Sequence, residues 1–359
     1  MTGLVRVAAL VPYPLRRAPG QRYRIEQWAP LMRREGVEVD LLPFLDDATL
    51  DVLYQRGHFV AKAAGVAGGY VRRLRQSRRL RDYQAAYVFR EAAFLPTTFL
   101  EKAVARRIPF VYDFDDAIYL PATSAANAAL RFLKSASKVS TLCGMATHVT
   151  VGNAHLASYA KLHARAVTTI PSTIDTSSYL PSPRPPNAVP VIGWTGSETT
   201  LPYLAEILPA LLALRSSFDF ELRVIGGRLA ADGLRVTCLP WSAASEVEDL
   251  RAIDIGLMPL PDDEWTRGKC GMKALQYMGL AIPAVVSPVG ANAEIIRDGH
   301  NGFHARTRDD WVARLGSLIR DPALRLRLGA AGRETVEKEY SAAVHAPRLA
   351  GILRAMAAR

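Results

Sequence analysis

The chain has 359 residues, of which 49% are hydrophobic and 22% are charged. This composition excludes a disordered chain, and the length predicts two domains that each bury a core. The formal net charge of +11 predicts a polyanionic partner, such as a phosphorylated substrate, an anionic lipid or nucleic acid. Because no zinc-finger spacing, RNP-like aromatic motif or KH-type loop is present, we do not expect nucleic acid as a partner.

The first residues lead directly into a predicted strand and show neither the charged head nor the cleavage site of a signal peptide. No stretch is apolar over the roughly 18 residues that a membrane span requires. The cysteines Cys143, Cys238 and Cys270 form no CxxC pair, so neither disulfide bonds nor a structural zinc site are predicted. We therefore expect a cytoplasmic protein.

Strand and helix signals alternate through the first half of the chain, which is typical of a parallel sheet. A helix is predicted over Tyr23–Arg34, where Ile25, Trp28 and Met32 recur at helical spacing and Pro30 would interrupt or kink it. The strands are predicted at Val5–Val11, Val37–Leu42, Ala85–Phe89, Phe110–Phe114, His148–Val151 and Val167–Ile170.

Six prolines between Pro171 and Pro190 mark a domain boundary, because prolines are excluded from packed strands and helix interiors. The predicted parts are an N-terminal domain (1–175), a linker (176–189), a C-terminal domain (190–341) and a C-terminal helix (342–359) that packs back on the first domain. We predict an α/β protein with two Rossmann-like domains facing a central cleft, where the carboxyl ends of the strands bind ligands. Strands of the second domain are predicted at Val191–Trp194, Glu221–Ile225, Leu234–Leu239, Ile255–Leu260 and Ala284–Val286, and helices at Leu201–Leu214, Ser245–Arg251 and Met272–Met278.

A glycine-containing loop at residues 268–271 opens the helix that begins at Met272. Free backbone N–H groups make such a helix start an anion site. Lys269, Lys273 and Gln276 are three or four residues apart, so the helix would align them on one face, with the methionine stripe facing the core. Two ammonium groups and a helix N-terminus suit a diphosphate; a solvent-exposed basic helix is the alternative.

The string VIGWTGSETTLPYL forms the first strand, turn and helix start of the second domain. Gly193 and Gly196 allow close approach of a ligand, and Ser197 can cap the helix or hydrogen-bond a phosphate. This turn is therefore a second candidate contact for the diphosphate.

Three carboxylates, Asp113, Asp115 and Asp116, end a strand of the first domain and are expected to point into the cleft region. Adjacent acids are costly unless they bind hydroxyls, a cation or an arginine. Pairing with nearby basic residues, such as Arg90 after the preceding strand, is the structural alternative. The loop after the first strand adds Gly20, Arg22 and Arg24, which suit contact with an acceptor phosphate or a donor diphosphate, and Arg90 is a further candidate for contact with the acceptor or a phosphate.

The block from Arg267 to Phe303 resembles the donor-binding segment of the retaining GT-B glycosyltransferases of family 4. That family has E-x7-E, a Met-containing helix, a Pro, a short strand, and then Gly and Glu before a DGxxGF-like turn. Here the matched positions are Met278, Pro283, Gly290, Glu294 and Gly302. In this register Gly268 and Gln276 replace the two glutamates, and the KCG-M-KALQYM string is similar to a bacterial branch of the family. Because it restores the usual family residue, Gln276→Glu is expected to be tolerated.

The resemblance implies a nucleotide-diphosphate sugar as donor, retention of anomeric configuration, and neither a cofactor nor a metal. It implies that Lys273 helps to neutralise the diphosphate and that Asp115, beside Asp113, supports the reacting centre where many members have a His. Arg228 would supply positive charge that the glycine turn lacks, and Trp241 is either a wall of the nucleobase site or plain core. The further donor contacts it implies are Lys269, Cys270, Gly271, Met272 and, at the ribose, Gln276.

Other functions stay open at this point. A GT-B enzyme that catalyses a different reaction, such as a sugar-nucleotide epimerase or a phosphorylase, would have the same sequence pattern. A basic binding protein without enzymatic activity and with a degenerate cleft fits the charge and the lost glutamates. For a transferase, the acceptor is a glycan, a lipid-linked molecule or a small molecule, and polysaccharide biosynthesis is the expected setting.

Six arginines fall within ten positions between Arg72 and Arg81. On a helix they spread over most of the circumference, and Val71, Leu74 and Leu80 form only a weak apolar stripe. The segment is interpreted as a solvated helix, as a surface for anionic membranes or, with least support, as a nucleic-acid contact. The membrane interpretation places the protein peripherally on the inner face of the cell membrane.

Overall fold

A computed structural model describes residues 4–53, 55, 57–94, 97–120, 136–181 and 187–358. The chain divides into two compact units: unit 1 comprises Met1–Ser172 and His345–Arg359, and unit 2 comprises Thr173–Val344. Part of the predicted linker is packed inside unit 2, because Tyr179 is buried and bonds to Glu246. None of the helices in the described ranges is both long and apolar enough to cross a membrane.

Unit 1 is built on a six-stranded sheet in the order β2-β1-β3-β4-β5-β6, and all its strand pairs are parallel. The strands are β1 (Val5–Val11), β2 (Val37–Pro43), β3 (Ala85–Phe89), β4 (Phe110–Phe114), β5 (His148–Val151) and β6 (Val167–Thr169). The helices are α1 (Pro19–Gln21), a π-helical turn (Arg22–Glu26), α2 (Ala29–Arg34), α3 (Asp47–Leu53), α4 (Phe59–Arg78), a 3-10 turn (Leu80–Asp82), α5 (Phe99–Ala105), α6 (Ala136–Met145) and α7 (Ala154–Lys161).

The helix predicted over Tyr23–Arg34 is two pieces, a π-helical turn and α2. Pro30 lies in the first turn of α2, where its missing N–H costs no hydrogen bond. The apolar stripe is correct all the same, because Ile25, Trp28 and Met32 are all fully buried. Helical spacing therefore identified the core face although the helix is interrupted.

Unit 2 has a second parallel sheet, in the order β12-β11-β10-β7-β8-β9. Counted from its own first strand this is the Rossmann order, and its switch point lies between β7 and β10. The strands are β7 (Val191–Thr195), β8 (Glu221–Ile225), β9 (Arg235–Leu239), β10 (Ile255–Met258), β11 (Ala284–Val286) and β12 (Phe303–His304). The helices are α8 (Leu201–Ala205), α9 (Leu208–Arg215), α10 (Glu246–Arg251), α11 (Glu264–Arg267), α12 (Met272–Gly279), α13 (Ala291–Ile295), α14 (Arg308–Arg320), α15 (Pro322–Glu339) and α16 (Ala342–Ala357), of which α16 enters unit 1 at His345.

Several elements of unit 2 differ from the sequence-based prediction, which did not include α11, α13, α14 and α15. The helix predicted over Leu201–Leu214 is broken into α8 and α9, and Pro209 opens the second of these helices. Strand β12 is only two residues long, so it gives no periodic signal, and it was not predicted.

Candidate active site

At the switch point of unit 2, one tyrosine of α12 forms hydrogen bonds to both of the neighbouring strands. The buried Tyr277 hydroxyl accepts a hydrogen bond from the backbone N–H of Thr195 at 3.1 Å and donates to the carbonyl of Leu257 at 3.3 Å. These two partners lie on β7 and β10, the strands between which the strand order reverses. Gly256 permits this packing, because a Cβ there would lie 2.3 Å from the Tyr277 ring. Helix α12 is therefore fixed against the strand ends where Rossmann-like sheets bind ligands.

The glycine turn after β7 packs on an indole and on the next turn. A Cβ at Gly196 would lie 2.3 Å from the Trp194 ring, and a Cβ at Gly226 would lie 2.1 Å from the Gly196 carbonyl oxygen. Gly226 also has φ of +85°, which favours glycine. Gly193 differs from the prediction, because it lies within β7 and makes room for the side chain of Ile253. Its small size serves the packing of the sheet.

The side-chain hydroxyls of Ser197, Thr199 and Thr200 form hydrogen bonds within this turn. Ser197 and Thr199 share a hydrogen bond of 2.8 Å, and the Thr200 hydroxyl accepts from the backbone N–H of Ser197. No side chain caps the start of α8, so the predicted capping role is wrong. Ser197 is exposed, and its hydroxyl remains at the surface of the turn.

Lys273 lies beside the glycine turn. Its ammonium is 5.5 Å from the centre of the Trp194 ring, the indole whose edge packs on Gly196. Helix α12 starts one residue earlier, after Gly271 with φ of +68°. Lys273 and the first N–H groups of α12 therefore bring positive charge to one place. Lys269 precedes the helix and lies 5.1 Å from the centre of the Trp265 ring.

Gln276 is buried and belongs to a polar cluster that the sequence did not predict. Its amide donates to Glu246 Oε1 at 3.1 Å and to the Tyr179 hydroxyl at 3.2 Å. Trp241 Nε1 also donates to Glu246 Oε1, at 2.9 Å, and Tyr179 donates to Glu246 Oε2 at 2.8 Å. Gln276 is therefore buried, whereas Lys273, one turn earlier on the same helix, is only partly buried. Trp241 is half-buried and acts as a hydrogen-bond donor within this cluster.

Glu246 was missed because its sequence signal is weak. It starts α10 in the acidic string SEVEDL, where carboxylates are usual partners of the helix dipole. Three donors converge on it only in the folded unit, and it is almost completely buried. The structure thus places a carboxylate beside Gln276, on α10 instead of α12.

The remaining residues that were predicted to contact the sugar donor differ in their burial. Cys270 and Gly271 are buried, and a Cβ at Gly271 would lie 2.2 Å from Ile295 Cδ1. Met272 is only partly buried, so it does not continue the core stripe of Leu275 and Met278. Arg228 is exposed, and its backbone N–H donates to Glu198.

A cavity in the described part of unit 2 lies along the ends of β10, β11 and β12. It measures about 310 Å³, and its charged or hydroxyl lining includes Asp262, Ser287, Arg306 and Arg308. Neither Lys273 nor Gln276 lines it. The carboxyl edge of this sheet therefore has a concave surface that is separate from the start of α12.

In unit 1, Arg24 and Asp113 form a fully buried ion pair. Arg24 Nε donates to Asp113 Oδ2 at 3.0 Å, and the guanidinium also bonds to the Ile170 carbonyl. Thr150 donates to Asp113 Oδ1 at 2.6 Å. The predicted roles of Arg24 in phosphate contact and of Asp113 in catalysis are therefore corrected, because both side chains are sealed within the unit and hold the π-helical turn, β4, β5 and β6 together.

Asp115 lies at the carboxyl end of β4 and is bound by Arg90. Arg90 Nε and Nη2 donate to Asp115 Oδ1 at 2.8 and 2.6 Å, and Nη2 donates to Asp116 Oδ2 at 2.8 Å. Burial raises the pKa of Asp115, and the Arg90 guanidinium opposes that shift. Gly20 lies against the pair, because a Cβ there would be 2.8 Å from Asp115 Oδ2. Within the described residues, no three His, Cys, Asp or Glu side chains are grouped to hold a metal ion.

Arg90 and Arg22 have different surroundings. Arg90 has φ of +57°, a strained value for a side chain of this size, and Tyr112 and Asp113 hold its backbone by hydrogen bonds. Its guanidinium is committed to two carboxylates, as the structural alternative predicted. Arg22 is half-buried and lies 4.6 Å from the centre of the Tyr23 ring.

Two parallel six-stranded α/β units define a protein of the GT-B fold class, as predicted. Residues 189–321 match the family model described as glycosyl transferases group 1. This match covers the sheet, the glycine turn and the α12 start of unit 2.

Solved structures share the architecture over nearly the full length. Sucrose-phosphate synthase from Thermosynechococcus elongatus aligns with a TM-score of 0.72 at 14% identity, over 99% of each chain. A glycosyltransferase from Rickettsia africae aligns with 0.68 at 10% identity, again over 99% of each chain. Anabaena HepE in complex with UDP and glucose aligns with 0.63 at 15% identity, over 98% of this chain and 100% of its own. No curated protein sequence matches the chain.

Proposed function

We propose that this protein is a glycosyltransferase that moves a sugar from a nucleotide-diphosphate donor to an acceptor. The observation that carries the proposal is the meeting of Lys273, the start of α12 and the glycine turn after β7 at the switch point of unit 2. Two features support it, namely the family match of residues 189–321 and the uridine nucleotide that is bound in the HepE structures.

In this proposal the protein stabilises charge on the leaving diphosphate. An ammonium and helix N–H groups fixed at one place stabilise that charge without having to reorganise during the reaction. Lys273 has the main role, Lys269 and Arg228 add positive charge, and the exposed Ser197 hydroxyl is a phosphate contact. No cofactor or metal is required, and the anomeric configuration is retained, as in family 4.

The ribose site in this proposal is the edge of the cluster around Gln276. The amide donates to Glu246 and Tyr179, so its orientation is fixed by two bonds. Trp241 from the same cluster would contact the base. In unit 1, Asp115 has a positioning role at the reacting centre, with Arg90 holding its carboxylate. Gly20 and Arg22 remain proposed contacts for the acceptor.

Lys273→Ala tests this function. We expect the variant to bind donor at least about tenfold more weakly and to transfer sugar at least about tenfold more slowly, because a lost charged contact costs about 1.5–3 kcal/mol. The measurement is a thermal-shift screen with uridine, guanosine and adenosine diphosphate sugars, followed by product analysis with the best donor.

Lys338→Ala is the matched control, because Lys338 is an exposed lysine of unit 2 paired with Glu334. It should leave donor binding unchanged. Equal donor affinity in the wild type and Lys273→Ala would remove Lys273 from the site. Binding with isomerised or phosphate-cleaved product would indicate an epimerase or a phosphorylase, and no stabilisation by any donor would favour a non-enzymatic protein.

The acceptor class is proposed as a glycan, a lipid-linked molecule or a small molecule, in polysaccharide biosynthesis. We further propose a cytoplasmic enzyme that attaches peripherally to the inner face of the cell membrane through the arginine-rich segment. Several exposed arginines on one helix support that attachment, because anionic surfaces attract them.

A further inference from the structure

Helix α4 carries apolar side chains on its outward side as well as on its inward side. On the inward side Gly65 and Gly69 pack against Thr49 and Phe44, and Val66 and Tyr70 pack against the apolar cluster around Phe44. The buried Arg73 donates to the backbone carbonyls of Val11, Leu42 and Ala92. A surface helix normally turns its apolar stripe to the core and its polar residues to water.

The outward side of α4 is apolar. Phe59 is 71% exposed, Val60 85%, and Val71 and Leu74 48% each. At 100° per residue, Val60, Val71 and Leu74 lie within an arc of about 60°, and the exposed Ala67 falls in the same arc, so the four form one row. Isolated exposed apolar side chains are ordinary, but a contiguous row on one helix marks an interaction surface. The sequence indicated Val71 and Leu74 as part of a weak apolar stripe with Leu80, but Leu80 is buried and the row instead extends back to Val60.

Arginines lie beside the apolar row and at its end, because Arg75 is next to the row and Arg78 continues its line one turn beyond Leu74. Arg72, Arg75 and Arg79 line an open groove of about 460 Å³, together with Gly68, Val71 and Gln76. Arg75, Arg78 and Arg79 are exposed, and the sequence of α4 contains no Asp or Glu. Arg72 is partly committed, since it pairs with Asp46 and bonds to the Phe44 carbonyl.

We propose that α4 lies in the plane of an anionic membrane surface, with the apolar row at the boundary between headgroups and acyl chains. The exposed arginines then hold lipid phosphates in and beside the groove, where long side chains reach the headgroup level. The arginines are complementary to the lipid phosphates, and the apolar row is complementary to the hydrocarbon that lies just below them. A second copy of the chain is less suitable, because a twofold contact through α4 would place two arginine clusters together. This surface lies outside the proposed donor site and does not depend on its function.

The test is co-sedimentation of the full chain with vesicles of phosphatidylcholine and phosphatidylglycerol, compared with phosphatidylcholine alone. We expect binding only to the anionic vesicles. The triple change Arg75→Gln, Arg78→Gln and Arg79→Gln should weaken it about a hundredfold, since each arginine near the surface contributes about 1 kcal/mol. The triple change Val60→Asn, Val71→Asn and Leu74→Asn should weaken it at least about tenfold and leave only a component that salt abolishes.

The matched charge control is Lys102→Gln, Arg106→Gln and Arg107→Gln, because these residues are exposed in the same unit. It should bind as the wild type does. An environment-sensitive dye on Leu74→Cys, in a Cys238→Ser background, should report an apolar surrounding when vesicles are added. The same dye on Leu162→Cys, also highly exposed in unit 1, should not.

Any one of four results would overturn the proposal. The first two are that the wild type does not bind anionic vesicles at low salt, or that the charge control loses as much vesicle binding as the arginine variant. The other two are that the dye at position 74 reports water when vesicles are present, or that the chain forms a concentration-dependent dimer that the asparagine variants abolish while no vesicle binding is seen. Donor stabilisation in the thermal-shift assay should be the same in all these variants, so failure here is distinct from failure of the proposed function.

Discussion

Replacing Asp113 by alanine should lower the free energy of unfolding of unit 1 by about 3–5 kcal/mol, because it leaves the Arg24 guanidinium buried without its carboxylate. Both side chains are fully buried, so water cannot replace the lost partner. The Thr150 hydroxyl loses its acceptor as well. Urea unfolding followed by circular dichroism measures the change, and the midpoint of unit 1 should fall accordingly.

Asp51→Ala is the control for the buried pair. Asp51 pairs with Arg17 at the surface of the same unit, and exposed ion pairs contribute at most about 1 kcal/mol. Replacing both buried partners, as Arg24→Met with Asp113→Leu, should recover part of the loss because no charge is left unpaired. An unfolding midpoint of Asp113→Ala equal to that of the wild type would mean that the pair is not buried as the structure shows.

Gln276→Glu should destabilise unit 2 by about 2–4 kcal/mol at neutral pH, in contrast to the tolerance that the family resemblance implied. The change replaces a donor 3.1 Å from Glu246 Oε1 by a second carboxylate, so a hydrogen bond becomes a repulsion. The pKa of the introduced carboxyl must rise in the folded unit. The penalty is therefore absent below its unfolded pKa of about 4.3 and complete above the folded value, so the difference from the wild type widens as the pH rises.

The charge swap is the decisive control for this cluster. Glu246→Gln combined with Gln276→Glu returns one donor and one carboxylate to the pair, and should recover more than half of the lost stability. The same chemical change at an exposed site, Gln55→Glu in unit 1, should have little effect. If Gln276→Glu alone unfolds as the wild type does at every pH, Glu246 does not contact Gln276.

The strands were predictable because each is a short apolar run closed by turn residues. Val5–Val11, Ala85–Phe89, Phe110–Phe114 and His148–Val151 have the same bounds in the structure as in the prediction. The parallel sheets followed from the βα alternation, and the GT-B class followed from that alternation together with the motif resemblance. Pro30 correctly indicated the break in the helix near Trp28, whereas the break at Ile207, where Pro209 lies in the first turn of a new helix, was not predicted.

Within the candidate site, the sequence indicated Lys273 because spacing along one helix is a local property. It indicated Asp115 in the same way, as an acid at a strand end. Ion pairing could not be predicted in this way, since a sequence does not show which charged residue, distant along the chain, will contact a given side chain. Arg24 and Asp113 are 89 positions apart, and only the packing of the π-helical turn on β4 turns two candidate site residues into a core ion pair.

The sequence by itself determined the class of fold and the location of the basic segment at the start of α12, because both depend on periodicity, composition and short motifs. The tertiary structure decided the polar partners of that segment and the direction in which α4 faces. Glu246 reaches Gln276 across 30 positions, and the glycines of α4 turn Val60 and Val71 outward by packing against Thr49 and Phe44. Contacts of this kind depend on how side chains from separate helices and strands share the same buried space. A local sequence pattern does not indicate which of these side chains will be buried.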